Sequence, residues 1–62
     1  MDTYELVTLL GITADMTKED IQQKLFDYFR EIYDGQVSDI EVGDIADSCL
    51  DSVLDYVKEN LQ

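Results

Sequence analysis

Helix-start signals recur three times in this chain, and they limit what it can fold into more than any other feature. Each signal pairs a residue that can cap a helix N-terminus with an acidic residue three positions later. The pairs are Asp2 with Glu5, Thr17 with Asp20, and Ser38 with Glu41. No proline occurs among the 62 residues, so nothing in the sequence forbids a long helix. The pattern predicts an all-α protein.

Glycine positions and apolar spacing set the expected boundaries of the first two helices. The first is predicted over residues 2–10, where Gly11 suits a left-handed C-terminal cap. The second is predicted over residues 17–33, because apolar residues recur there at three- and four-residue spacing. The Asp34-Gly35 pair should end this helix.

The last part of the chain is divided by a third glycine. Residues 38–42 are expected to form only a short helical turn, which Gly43 separates from the last helix. That helix is predicted over residues 44–61. The expected fold is therefore a small three-helix bundle with one extra short helical turn near residues 38–42. It forms a single domain that covers residues 1–62.

A chain this short buries limited surface, so its core must be well packed or extended by self-association. The single cysteine cannot form an internal disulfide, and the absence of histidine leaves no ligand set for a structural zinc ion. No metal or cofactor is predicted. The expected core residues are Leu6, Leu9, Leu10, Ile21, Leu25, Phe29, Ile32, Ile45, Cys49, Val53, Leu54 and Val57.

The chain is strongly acidic, with 15 acidic and 4 basic residues and a net charge of −11. Such a charge repels nucleic acids and anionic membranes, and it favours basic partners. The N-terminus lacks the basic and apolar segments of a secretory signal. No apolar stretch approaches the roughly 20 residues that span a bilayer. A cytoplasmic protein that contacts neither nucleic acid nor membrane is expected.

Acidic residues of the last predicted helix concentrate on the side opposite its apolar half. We call five of them the acidic face: Asp44, Asp47, Asp51, Asp55 and Glu59. Asp39 and Glu41 are expected beside it, and Tyr33 is an aromatic side chain suited to a half-exposed contact. These eight residues are the candidate partner-binding residues.

Two interpretations of the acidic face compete. It can be a solvated surface that only keeps the chain soluble, although a solubilising surface normally mixes both signs of charge. Alternatively, it docks on a basic surface of a partner protein, such as a surface that binds nucleic acid. In size and charge the chain resembles phage-encoded inhibitors that imitate the charge of DNA. The acidic pattern alone leaves both interpretations open, and docking is the function predicted here because a small chain without catalytic groups is suited to binding.

A second hypothesis is a structural or adaptor protein. It would pair with itself or with a partner through apolar and aromatic side chains, with Tyr33 and Leu50 as contacts. The apolar half of the last helix is wide for so small a core, so the chain is also a candidate for homodimerisation.

The segment Leu50-Asp51-Ser52-Val53 resembles the Asp-Ser-Leu motif of acyl and peptidyl carrier proteins. The resemblance implies that Ser52 would carry a phosphopantetheine group. Two departures from the family pattern stand against it. Only ten residues follow Ser52, where the family has two further helical segments, and Ser52 lies inside an amphipathic pattern instead of at a helix start. An atypical carrier protein is the least favoured alternative.

Enzymatic activity is not expected. Without histidine, a Ser-His or Cys-His nucleophile pair cannot form. Cys49 falls in the middle of the apolar half of the last helix, where a thiol is usually an inert core group. A calcium-binding loop beginning at Asp34 is also excluded, because Asp39 and Ile45 occupy the positions that require glycine and glutamate.

Overall fold

The computed structural model describes residues 2–62 and has three α-helices: α1 (Thr3–Leu10), α2 (Lys18–Tyr33) and α3 (Asp39–Tyr56). One π-helical turn, Val57–Leu61, follows α3 directly. The described residues include no β-strand. The prediction of an all-α three-helix bundle is confirmed. None of the helices in this range is both long enough and apolar enough to cross a bilayer.

α2 is bounded by the signals that predicted it. The Thr17 hydroxyl accepts a hydrogen bond from the backbone N–H of Asp20 at 3.1 Å, and an Asp20 carboxylate oxygen accepts one from the N–H of Thr17 at 3.3 Å. These reciprocal bonds satisfy N–H groups that the first turn of a helix leaves unpaired. At the other end, Asp34 takes a left-handed conformation with φ of 35° and its N–H bonds to the Arg30 carbonyl.

α1 is also capped at both ends as predicted. The Asp2 carboxylate accepts a hydrogen bond from the N–H of Glu5 at 2.9 Å. Gly11 ends the helix with φ of 66°. The N–H of the next residue, Ile12, bonds back to the carbonyl of Val7 at 3.1 Å, and the Ile12 side chain is buried. This C-terminal cap therefore leads the chain out of α1 while adding an apolar residue to the core.

The connection between α1 and α2 is held by its own side chains. The Thr13 hydroxyl donates a hydrogen bond to the carboxylate of Asp15. That bond, together with a backbone hydrogen bond, holds the pKa of Asp15 below its ordinary value, because both favour the charged carboxylate. Asp15 precedes α2 and is not a residue of α3, so this carboxylate is not part of the acidic face.

The predicted break at Gly43 is wrong. Ser38 does cap a helix, since its hydroxyl accepts from the N–H of Glu41 at 3.2 Å, but that helix is the whole of α3. Glycine inside a helix costs only about 1 kcal/mol. Val42 and Ala46, on either side of Gly43, are both almost completely buried. Their burial outweighs the low helix propensity of the glycine, so the predicted short turn and the predicted last helix are one element.

Replacing Gly43 with alanine should stabilise the protein by about 0.5–1 kcal/mol, because alanine has the higher helix propensity. A methyl group there would meet only a ring carbon of Phe26, at an ordinary contact distance of 4.0 Å. Gly11→Ala is the matched control and should destabilise, since its φ of 66° strains any residue with a Cβ. Urea denaturation of both variants measures the two changes. A loss of stability in Gly43→Ala would show that the glycine is needed at this crossing.

One apolar cluster joins the three helices. Several predicted core residues are buried in it: Leu6, Ile21, Leu25, Val53 and Val57. Others pack against it while partly exposed: Leu10, Phe29, Cys49 and Leu54. Ile45 is also partly exposed. The buried residues that the predicted core did not include are Val7, Ile12, Val42, Ala46 and Leu50. Of these five, only Val42 lies in the part of α3 that was predicted as a separate turn.

Leu9 and Ile32 are corrections to the predicted core, with 60% and 49% of their surface exposed. Leu9 lies on the outer side of α1, whose inner side is formed by Leu6 and Val7. Ile32 continues the apolar stripe of α2, but it lies in the last turn of that helix. α1 has 8 residues and α2 has 16, so α1 is too short to cover the full length of α2.

Candidate protein-binding face

α3 separates its apolar residues from its charged ones. Its inner side carries Val42, Ala46, Leu50 and Val53, none more than 5% exposed. All residues of the acidic face are exposed. The separation follows from the helical period, because residues three and four positions apart lie on the same side. The fold therefore uses one side of α3 and leaves the other to solvent.

The four aspartates of the acidic face form a narrow row. At about 100° per residue they fall within an arc of about 80° around the helix axis. The row rises about 16 Å from Asp44 to Asp55, and each four-residue step rises about 6 Å. Glu59 lies in the π-helical turn, so it follows the row without sharing its regular α-helical spacing. The row is thus a regular line of charge along one side of α3.

Within residues 2–62, no basic side chain forms an ion pair with this row, although Lys58 lies close to its C-terminal end in the π-helical turn that holds Glu59. Within residues 2–62 the single ion pair joins Arg30 Nε to Asp39 Oδ1 at 3.7 Å, and both side chains are largely exposed. Asp47 is held from α2, where Gln22 Nε2 donates to its Oδ1 at 2.9 Å. An amide carries no net charge, so Gln22 orients Asp47 and leaves its charge intact. α3 itself contains six acidic residues and no basic residue.

This charge arrangement works against the stability of α3. Asp47, Asp51 and Asp55 are spaced four residues apart, and like charges at that spacing repel by a few tenths of a kcal/mol per pair. The helix continues through the π-helical turn beyond Asp55, so the dipole of its C-terminal end adds little at that position. Folding alone would favour a neutral or basic residue at positions 51 and 55, whereas Asp47 also bonds to Gln22 of α2. The acids at 51 and 55 are therefore not explained by what they contribute to the helix.

The remaining predicted site residues do not all join the row. Glu41 lies about 60° around the helix from Asp44, beside the row as predicted. Asp39 lies about 140° from Asp44 and pairs with Arg30 of α2, so the structure does not bring it to the acidic face. Tyr33 is half-buried and stacks on Phe29 of its own helix, with ring centroids 6.4 Å apart.

Two residues near the row were missed by the sequence analysis. Gln22 could not be identified, because its bond to Asp47 joins residues 25 positions apart. Ile40 lies four residues before Asp44, and 79% of its surface is exposed. The signal for Ile40 was present in the spacing, but the assumed break at Gly43 placed it outside the last helix.

The structure also bears on metal binding, on the environment of Cys49 and on the carrier-protein motif. Within residues 2–62, no group of three or more Cys, Asp or Glu side chains is arranged to hold a metal ion. Cys49 is partly exposed and packs against the apolar cluster. Ser52 is exposed in the interior of α3, whereas the carrier-protein motif places its serine at a helix start.

Comparison with known proteins adds no functional information. No family model, no curated protein sequence and no solved structure matches the chain. A fold alone does not define an activity. The function must therefore be argued from the charge and geometry of α3.

Proposed function

We propose that this chain is a small cytoplasmic binding protein that docks its acidic face on the basic, nucleic-acid-binding surface of a partner protein and blocks it. The observation that supports this most is the row of carboxylates on α3, which carries no basic residue. A surface of one sign selects partners of the opposite sign and accelerates their encounter. The partner is therefore a protein that normally holds a polyanion.

The spacing of the row supports a surface that binds phosphates. Successive i+4 carboxylates rise about 6 Å along the helix. Phosphates of one DNA strand rise about 3.4 Å each along the duplex axis. The two spacings are of the same order, so lysine and arginine side chains arranged for a nucleic-acid backbone can reach carboxylates of the row. The chain would then compete with nucleic acid as a charge mimic.

Capture at two salt concentrations tests the proposal. The tagged chain is incubated with a cell lysate at about 50 mM and about 500 mM salt, since screening weakens exposed charge pairs. Bound proteins are identified by mass spectrometry, and the resin is then washed with duplex DNA. We expect a nucleic-acid-binding protein that is held at low salt and released by the DNA. Proteins held equally at both salts and unaffected by DNA would contradict the proposal.

An adaptor that associates through apolar surface is the second candidate, favoured by α1. Tyr4 and Leu9 are both 60% exposed on that short helix. Leu50 is buried, so its replacement would test folding and not association. Light scattering at high protein concentration distinguishes this candidate: a dimer that persists at every salt concentration supports it, and a monomer removes its self-pairing form.

A further inference from the structure

We infer that Ile40 is an apolar anchor that fits a pocket at one end of the partner's basic surface and fixes the direction and register in which α3 lies there. The inference rests on the proposed function and names a second chemical feature of the same partner. The partner surface would then combine a basic strip with an apolar pocket at one end.

The inference rests on the position of Ile40 on α3 and not on its exposure alone. Single exposed apolar residues are common on protein surfaces. Ile40, however, lies on the line of the acidic row: at about 100° per residue it falls between Asp44 and Asp47 around the helix axis. It is one turn before Asp44, so it extends the row at its N-terminal end. At 79%, it is also the most exposed large apolar side chain within residues 2–62.

Ile40 contributes neither to the core nor to the capping of α3. Its neighbour Val42 enters the core of the bundle, and Ile40 does not belong to the apolar cluster. The start of α3 is fixed by Ser38, whose hydroxyl caps the helix without help from Ile40. A polar residue at this position would serve an isolated bundle equally well. A partner with an apolar pocket is what would use the side chain.

A single apolar contact would fix the register of binding, which a regular row of charge leaves undetermined. Because Asp47, Asp51 and Asp55 repeat at equal spacing, a basic strip can pair with them in more than one register. Charge pairing therefore supplies attraction without a unique position. One buried aliphatic side chain at a single end removes that degeneracy, in the manner of hot-spot residues that fill pockets within polar surroundings.

A second copy of this chain is not the occupant. Two acidic faces brought together would juxtapose like charges, which costs several kcal/mol across an interface. The occupant must be basic around the pocket. A basic helical peptide with an apolar stripe combines positive charge with apolar side chains, so it serves as the probe.

The test compares two synthetic peptides that carry the same number of lysines: an oligolysine, and a helical peptide that also carries a stripe of leucines. Affinities are measured by fluorescence anisotropy at low salt for the wild-type chain, Ile40→Ser and Leu9→Ser. Leu9 is the matched control, because it is a 60%-exposed aliphatic residue on another helix. Circular dichroism verifies that both variants remain helical with an unchanged unfolding midpoint.

We expect the wild type to bind the leucine-containing peptide about tenfold more tightly than oligolysine, as burial of one aliphatic side chain allows. Ile40→Ser should lose this difference and Leu9→Ser should keep it. Ile40 is not an anchor if Ile40→Ser keeps the difference in affinity between the two peptides, or if the wild type shows no such difference. Equal binding of both peptides by the wild type would still support the acidic face as a docking surface. If the wild type binds neither peptide, docking by charge fails as well.

Discussion

Replacing Asp51 and Asp55 with lysine should lower the affinity of the chain for its captured partner about 100-fold at low salt. Each change replaces an attraction by a repulsion at the centre of the acidic face. Both side chains are exposed, and neither bonds to another helix within residues 2–62. Titration calorimetry with the purified partner measures the loss. High salt should narrow the difference, because the charge pairs are then screened.

A matched control separates position from net charge. Asp27 and Glu31 are also exposed acids four residues apart, but they lie on α2. The variant Asp27→Lys/Glu31→Lys changes the net charge by the same amount and should weaken binding only a few-fold, through the long-range field. Equal losses from the two double variants would mean that only net charge matters. A loss from neither would remove the acidic face from the interface.

Unfolding cannot account for the expected loss of binding. Lysine at position 51 turns the repulsion from Asp47, four residues earlier, into an attraction along α3. Asp51→Lys/Asp55→Lys should therefore unfold at the same temperature as the wild type or higher. A variant that is more stable and binds less would show that these acids serve recognition.

The second large effect concerns the core: Leu25→Ala should lower the free energy of unfolding by about 3 kcal/mol, which is about a third or more of the total. Leu25 is completely buried at the centre of the apolar cluster. Replacing a buried leucine with alanine costs about 3 kcal/mol. A 62-residue domain has a free energy of unfolding of roughly 3–9 kcal/mol in total. One such substitution therefore removes a large part of the stability.

Leu9→Ala is the control with identical chemistry. Leu9 is 60% exposed, so the same truncation should change the free energy of unfolding by no more than about 0.5 kcal/mol. Urea denaturation followed by circular dichroism measures both variants. A comparable loss in the two would place Leu9 in a buried contact, either within the bundle or between two copies of the chain.

The boundaries of α1 and α2 could be predicted because local groups determine them. Thr17 and Asp20 are three residues apart and satisfy each other's backbone N–H groups, whatever the rest of the chain does. Gly11 ends α1 for an equally local reason, its left-handed backbone. Information of this kind is complete within a short window of sequence.

The course of α3 could not be predicted in the same way, since it depends on contacts between distant segments. Gly43 alone favours a break, and only the burial of Val42 and Ala46 shows why the helix continues. The error also hid Ile40, because its relation to the acidic row exists only when α3 begins before it. The exposure of Ile32 likewise depends on the length of a different helix, α1.

The acidic row itself follows from helical periodicity, so the sequence was sufficient to find it. The bond between Gln22 and Asp47 was not accessible from sequence, because it depends on how α2 and α3 align. The position of Asp39 was misjudged for the same reason as that of Ile40. The row depends on the period of one helix and could be predicted, whereas the bond from Gln22 depends on two helices and could not.

The bond from Gln22 makes Asp47 the one aspartate of the row whose replacement would disturb the contact between two helices. Asp44, Asp51 and Asp55 form no such bond within residues 2–62, so their replacement breaks no side-chain bond between helices. Selection can therefore alter the charge pattern of α3 one residue at a time while the protein remains folded throughout. Under the proposed function, related chains would keep this architecture while the partners that they bind diverge.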